Sequence, residues 1–327
     1  MLRHYQTRIV LGSSATLTLI TDASRAEVNK LFRTLWLELF LFEKRFSRFL
    51  PASELSQFNR AAGVKQSISP EFRDILSASR ELAVQSDGLY NPFILPALQR
   101  AGYVQSMVAA HSKDVVDNYS NRSVAPAKLL EVGNNWARIP YGSAIDLGGS
   151  GKGYAADLLA DITDTFSAIQ GYWFSLGGDV AASGLDENGD PWIIEIEDTV
   201  GTRGGSAGQV IARGDSRYAV ATSSVLRRRG IKGKAWHHII DPRTGQPAAT
   251  STVTASIYAQ TCLLADVLAK CAILLAPKEV KAYTQARGGL GGLLQDSSKK
   301  LTAWGAIDIH RPAHNNRMHS RNVDRSA

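Results

Sequence analysis

Helical and strand periods follow one another along this chain without the regular strand–helix–strand rhythm that builds a parallel sheet. That mixture points to an α+β protein rather than a doubly wound one. The clearest helix runs from about Ser24 to Arg45. Ser24 and Glu27, three residues on, form a capping box, and Val28, Leu31, Phe32, Leu35, Leu39, Phe42 and Phe46 keep one broad apolar face. A polar, turn-rich stretch follows over 47–63. A second helix starts at Ser69, with Pro70 in its first turn and Phe72, Ile75, Leu76 and Leu82 as its buried stripe. Residues Thr261 to Leu275 read as a third, and Pro277 opens another. Strand alternation runs through 173–184, 192–198, 217–223, 236–240 and 251–258, and GLLQ with LTAWGAI makes a closing pair. The first 22 residues read as two strand pieces about a turn. From Gly88 the chain is loop-rich, and 104–125 has little periodicity.

The chain has 327 residues, 44% hydrophobic and 20% charged, which excludes a largely disordered protein and supplies a core without disulfide or metal. Its net charge of +7 invites a nucleic-acid reading, but the excess is local. Four arginines stand against Asp324 in the last stretch, His310 to Ala327, and Arg227, Arg228, Arg229, Lys232 and Lys234 fall in one loop. The rest is near neutral, so nucleic acid ranks last among partners. The tail is polar and lacks an apolar period, so it is expected to be disordered and dispensable. Cys262 and Cys271 read as buried free thiols. No stretch reaches the roughly 18 apolar residues of a membrane span, and the start lacks a convincing signal peptide. The expectation is a cytoplasmic protein, with the periplasm as alternative.

Five segments gather more chemistry than their local structure needs. Gly148, Gly149, Ser150, Gly151, Lys152 and Gly153 precede a helix, where backbone N–H groups and one ammonium suit phosphate. Taken alone, a tight structural turn is the plainer reading of them. The spacing is neither a Walker A loop nor a dinucleotide fingerprint. The segment His237 to Gly245, HHIIDPRTG, sets an imidazole, a carboxylate, a guanidinium and a hydroxyl after an apolar strand. The segment Leu176 to Asp179 has two glycines before a carboxylate, and Ala221 to Ser224 is a hydroxyl run. Asp266 stands on an otherwise apolar helix, so it is paired or metal-bound; Lys270, one turn on, is the plain partner.

The order of these blocks, with Ser47, Ser53-Glu54-Leu55, Asn59 and Gly88-Leu89-Tyr90-Asn91-Pro92 ahead of them, resembles the flavin transferase family often labelled ApbE, the FAD:protein FMN transferases. The likeness spans about Arg8 to Ile307, and DLGGSGKG and HIIDPRTG carry most of it. It implies one α+β unit over residues 1–309 with a deep FAD cleft, and a basic tail over 310–327. It also implies transfer of FMN from FAD to a threonine or serine hydroxyl of a target protein, with release of AMP and dependence on Mg2+. His238 or Asp241 would take the proton, and Lys152 with amides near Gly149 would hold phosphate. Asp266, with a carbonyl near Gly151, would hold the metal. Ser53, Glu54, Asn59, Tyr90, Gly178, Thr222 and Thr244 match positions lining the flavin and adenosine pocket. Asp146, Asp179 and Ser223 lie in the same blocks and are counted with them.

Three departures stand out. Gly149-Ser150-Gly151-Lys152-Gly153 replaces the usual Gly-Ile-Ala-Lys-Gly, and Asn91 replaces an aspartate. Lys270 stands where many members carry a threonine or serine metal ligand, and an ammonium has donors only. Either the metal keeps fewer protein ligands, or Lys270 supplies positive charge in its place. In the second case FAD would bind without magnesium, while transfer would still need it. A plain salt bridge that neutralises Asp266 is the remaining option. Lys270 and Asn91 also favour the alternative function, a FAD-binding accessory or carrier protein without transferase activity. A FAD pyrophosphatase is the third reading.

Overall fold

The structure, a computed structural model, describes residues 1–104, 124–200, 205–211, 216–226 and 237–309. Its frame is an eight-stranded antiparallel sheet whose strands lie side by side in the order the chain visits them. They are β1 (Leu2–Val10), β2 (Ser13–Thr21), β3 (Gly171–Leu176), β4 (Asp179–Gly184), β5 (Tyr218–Ser224), β6 (Thr252–Ala259), β7 (Gly291–Asp296) and β8 (Leu301–Gly305). Leu11 and Gly12 both take positive φ, 55° and 67°, the mirror-image turn that suits the twist of the β1–β2 hairpin. Gly177 and Gly178 do the same between β3 and β4, at 67° and 99°.

Helices α1 (Arg25–Phe46), α2 (Glu54–Arg60), α3 (Pro70–Gln85), α4 (Leu95–Arg100) and α5 (Gly151–Asp164) fill the long excursion between β2 and β3. Helices α6 (Cys262–Leu274) and α7 (Pro277–Gln285) bridge β6 and β7. The α1 capping box forms as read: Glu27 N–H donates to Ser24 Oγ at 3.4 Å and Ser24 N–H to Glu27 Oε2 at 3.0 Å. The predicted apolar face of α1 is buried with Trp36, against Leu17 and Leu19 of β2, Leu159 of α5 and Phe174 of β3. On β5, Ala219 and Ala221 face this core, while Tyr218 and Val220 face a second one beyond the sheet. There a smaller sheet of Ile193–Glu197, Ser206–Ile211 and Ile307–Ile309 adds Ile194, Val210 and Ile307.

Two expectations change. The stretch 47–63 contains α2, because Ser53 caps it (Ser56 N–H to Oγ, 3.0 Å) and Leu55 and Phe58 are buried. The loop-rich part after Gly88 contains α4, whose Ala97 and Leu98 pack with Tyr103 and Ile240. The closing pair forms as β7 and β8, but Ile307–Ile309 leaves it for the smaller sheet. Cys262 and Cys271 are buried and free. Most of 104–125, the basic loop 227–234, Trp236 and the tail lie outside the described residues. No helix among the described residues is long and apolar enough to cross a membrane.

Helices α5 and α6 touch backbone to backbone at Gly153. A Cβ there would lie 2.6 Å from the Cys262 carbonyl oxygen and 2.7 Å from Leu263 Cα, atoms that cannot swing aside. One turn on, the Asp157 carboxylate accepts the N–H groups of Cys262 and Leu263, each at 2.8 Å, and so caps α6 from α5. Burial raises the Asp157 carboxyl to about 6, against the pull of those two bonds. Gly153→Ala is therefore expected to cost roughly 1–3 kcal/mol through overpacking, measured by urea unfolding. An unchanged midpoint would mean that the two helices separate freely.

Candidate functional site

The end of α1 and the segment after it, the segment from Leu89, the glycine-rich turn into α5 and the C-terminal part of α6 meet around one cavity. His238, Ile239, Ile240 and Pro242 close it. It measures about 390 Å³ and its walls are mainly apolar, among them Phe42, Phe46, Leu55, Leu98, Ile240 and Leu274. That is the usual build of a small-molecule site: apolar walls with a few polar groups in fixed places.

The polar groups in the wall are ordered. Arg48 Nε donates to Asp146 Oδ2 at 2.7 Å, with both side chains nearly buried at 7% and 6% exposure. The same guanidinium gives a hydrogen bond to the Tyr103 carbonyl at 2.9 Å and lies against the rings of Phe49 and Tyr103. The Tyr90 hydroxyl donates to Ser150 Oγ at 2.8 Å, and burial pushes its phenol up to about 12, so it stays neutral. Lys152 forms an ion pair with Asp179, and Lys270 with Asp266. Both lysines are in the cavity wall, whereas Asp179 and Asp266, each 1% exposed, lie behind it. Burial raises the Asp266 carboxyl, but the charges of Lys270 and Lys152 outweigh it and hold the group below its ordinary value.

His238 is in the wall and His237 is not. His237 Nε2 lies 3.1 Å from the Ala248 carbonyl, and partial burial lowers its imidazole despite that bond. His238 instead packs against Tyr103, ring centroids 6.3 Å apart at 72°. The two neighbours thus point different ways, although of the strand expected over 236–240 the described residues form only the short pair of Ile240–Asp241 with Gln246–Pro247.

Of the residues singled out from the sequence, Tyr90, Asp146, Gly149, Gly151, Lys152, His238 and Lys270 line the cavity. Ser47, Asn91 and Gly148 are in the wall with them, whereas Ser53, Glu54, Asn59, Gly178, Asp179, Thr222, Ser223, Asp241, Thr244 and Asp266 lie outside it, for identifiable reasons. Ser53 caps α2, and Glu54 accepts the Ser69 N–H and hydroxyl, both at 2.7 Å, at the start of α3. Asn59 pairs through both amide atoms with the Ile145 backbone at 2.8 Å, which holds the irregular segment leading to Asp146. Gly178 serves the β3–β4 turn. Thr222 donates its N–H to Asp179 Oδ1 at 3.2 Å and shares a 2.8 Å bond with Ser256 Oγ, and Ser223 is buried in β5. Asp241 is held by the Arg243 backbone N–H and guanidinium at 2.8–3.2 Å. Burial raises its carboxyl, but those bonds outweigh it and keep the group below its ordinary value, so it is a poor base. Thr244 is exposed in that turn. Arg48 and Tyr103 belong to the site but were not singled out. Arg48 sits 98 positions from Asp146, and no local pattern signals the pair.

Gly149 lets two groups come close. A Cβ there would lie 3.1 Å from the Tyr90 ring and 3.6 Å from the Lys270 stem. Gly149→Val should narrow the cavity at that point and weaken ligand binding by about 10-fold while folding is retained, measured by titration against the native chain. Equal affinity would place the ligand elsewhere.

The donors around Asp266 can be tested against magnesium, which takes about six oxygen ligands. Asp266 Oδ1 is taken by the Lys270 ammonium, and Oδ2 is buried without a hydrogen-bond partner. Lys270 has no lone pair to offer, and Gly151 offers only its backbone carbonyl. Among the described residues no group of three His, Cys, Asp or Glu side chains comes together. A dication on Oδ2 would sit beside one ammonium and near a second. The donor set does not fit magnesium while Lys270 is in place.

The fold defines an α+β protein with one mainly apolar cavity whose wall includes Lys152, His238 and Lys270. Residues 11–294 match the model of the ApbE family, and the chain belongs to that family. Among proteins named FAD:protein FMN transferase, that of Vibrio cholerae is 27% identical over 250 residues, covering 74% of this chain and 72% of its own. The Escherichia coli K12 protein of the same name is 26% identical over 302 residues, covering 86% and 81%. The crystal structure of the ApbE protein of Thermotoga maritima superposes with a TM-score of 0.79 over 92% of this chain and 96% of its own, at 21% identity. The flavin transferase ApbE of Vibrio cholerae gives 0.75 over 93% and 97%, at 22%.

Proposed function

We propose that this protein transfers FMN from FAD to a threonine or serine hydroxyl of a target protein and releases AMP. The observation that carries the reading is the cavity itself: one histidine, two lysines and a glycine-rich turn line it, in a chain of the ApbE family. Apolar walls suit the flavin ring, and the cationic side suits the pyrophosphate. In the reaction the acceptor oxygen attacks the phosphorus on the flavin side of the pyrophosphate. A new P–O bond forms, the bond to the bridging oxygen breaks, and AMP leaves with that oxygen. His238 takes the hydroxyl proton as the bond forms and passes it on as AMP departs. Lys152 faces the charge that grows on the departing phosphate. The magnesium expected from the resemblance meets a donor set that does not fit it, and the positive charge in this reading comes from side chains.

Incubation with FAD and an acceptor domain bearing an exposed threonine tests the proposal. Intact mass spectrometry should show the acceptor gaining one FMN group, matched by one AMP released. FMN set free without an adduct would make the protein a pyrophosphatase. Bound FAD left intact would make it a carrier.

A further inference from the structure

We infer that Lys270, paired with the buried Asp266 and acting with Lys152, forms a pyrophosphate-binding site that needs no divalent cation. This rests on FAD being the ligand of the cavity, and it concerns how that ligand is held.

Two carboxylates, Asp179 and Asp266, meet two ammonium groups, Lys152 and Lys270, so the cluster is neutral with no metal in it. The arrangement has a direction. Both lysines are in the wall and both aspartates are buried outside it, so each pair has its cationic partner on the cavity side. Among the described residues, Lys270 spends two of its three N–H donors on Asp266, one on the carboxylate and one on the backbone carbonyl at 3.3 Å. The third remains for a ligand oxygen. The stem of Lys270 passes close to Gly149, within contact range of a Cβ placed there, so the ammonium is held next to the glycine-rich turn. Asp266 fixes the ammonium in place; it is a positioning residue.

The pyrophosphate of FAD carries two negative charges, and two ammonium groups match it. A charge-assisted hydrogen bond contributes about 1.5–3 kcal/mol, which is roughly 10–100-fold in affinity. A divalent cation on the remaining Asp266 oxygen would meet a carboxylate already neutralised by Lys270.

The test is FAD titration by flavin fluorescence or calorimetry, with EDTA and with magnesium, on the native protein and on Lys270→Thr and Lys270→Arg. Native affinity should change by less than about 3-fold between the two conditions. Lys270→Thr should lose roughly 10-fold or more in EDTA and recover in magnesium, because a hydroxyl beside the freed carboxylate restores an oxygen donor set. Lys270→Arg keeps the charge and should bind in EDTA within about 10-fold of native. Native binding abolished by EDTA and restored by magnesium overturns the inference and leaves the FAD reading standing. Native protein that binds FAD in neither condition overturns both.

Discussion

His238→Ala lowers the rate of flavin transfer by roughly 10²–10⁴-fold, the range for losing a general base, while His237→Ala leaves it within a few-fold. The difference follows from where two adjacent imidazoles point. His237 is spent on the Ala248 carbonyl, and its loss removes one neutral hydrogen bond, about 1 kcal/mol of stability. His238 is in the cavity wall beside Tyr103 and reaches the space a substrate would fill. Asp241 is the rival base, but Arg243 holds its carboxylate from two sides and keeps its proton affinity low. Asp241→Asn should therefore disturb the 241–245 turn more than the chemistry. Single-turnover rates at saturating FAD, with binding measured separately, decide the matter. Equal losses for the two histidines would remove His238 from the proton transfer.

Much of this was legible along the chain, because caps and periods are local. Ser24 with Glu27, Ser69 with Pro70, and the alternation of β3 to β6 each lie within a few residues of the structure they set. The turn at 241–245 was legible for the same reason: Asp241 accepts the N–H two residues on, as its composition suggested. The distant pairs were not. Glu54 capping α3, Asp157 capping α6 and Asn59 holding Ile145 join positions 15, 105 and 86 residues apart. Such residues look like ligand-binding groups in the sequence, because a buried polar side chain needs a partner and the sequence does not show which. The hydroxyl run on β5 went the same way, with Thr222 and Ser224 bonded to Ser256 and Thr254 on the next strand. Asp266 and Lys270 were legible as a pair, one helical turn apart. What the structure adds is that Lys270, rather than Asp266, is in the cavity wall.

Arg48→Ala and Asp146→Ala should each destabilise the protein by about 3–5 kcal/mol, the cost of leaving one member of a buried ion pair alone. This pair ties the segment after α1 to the glycine-rich turn, so the cavity should loosen together with the fold. Removing Arg48 also frees the Tyr103 carbonyl and strips the cation from between two aromatic rings. Removing Asp146 also loses the 2.6 Å bond from Gly148 N–H that shapes the turn. The two variants should part company with pH. A carboxylate stranded by Arg48→Ala can shed its charge by binding a proton in the folded state. The folded state then binds more protons than the unfolded one, so the deficit shrinks as pH falls toward 5. A guanidinium stranded by Asp146→Ala keeps its charge throughout, so its deficit should stay level. Replacing both with apolar residues of similar size, Arg48→Met with Asp146→Leu, should recover part of the loss, since neither charge is then left buried. Urea unfolding at pH 5 and pH 8 reads all of this. Single variants within about 1 kcal/mol of native at both pH values would show that water reaches the pair and that the site is held together by its apolar walls alone.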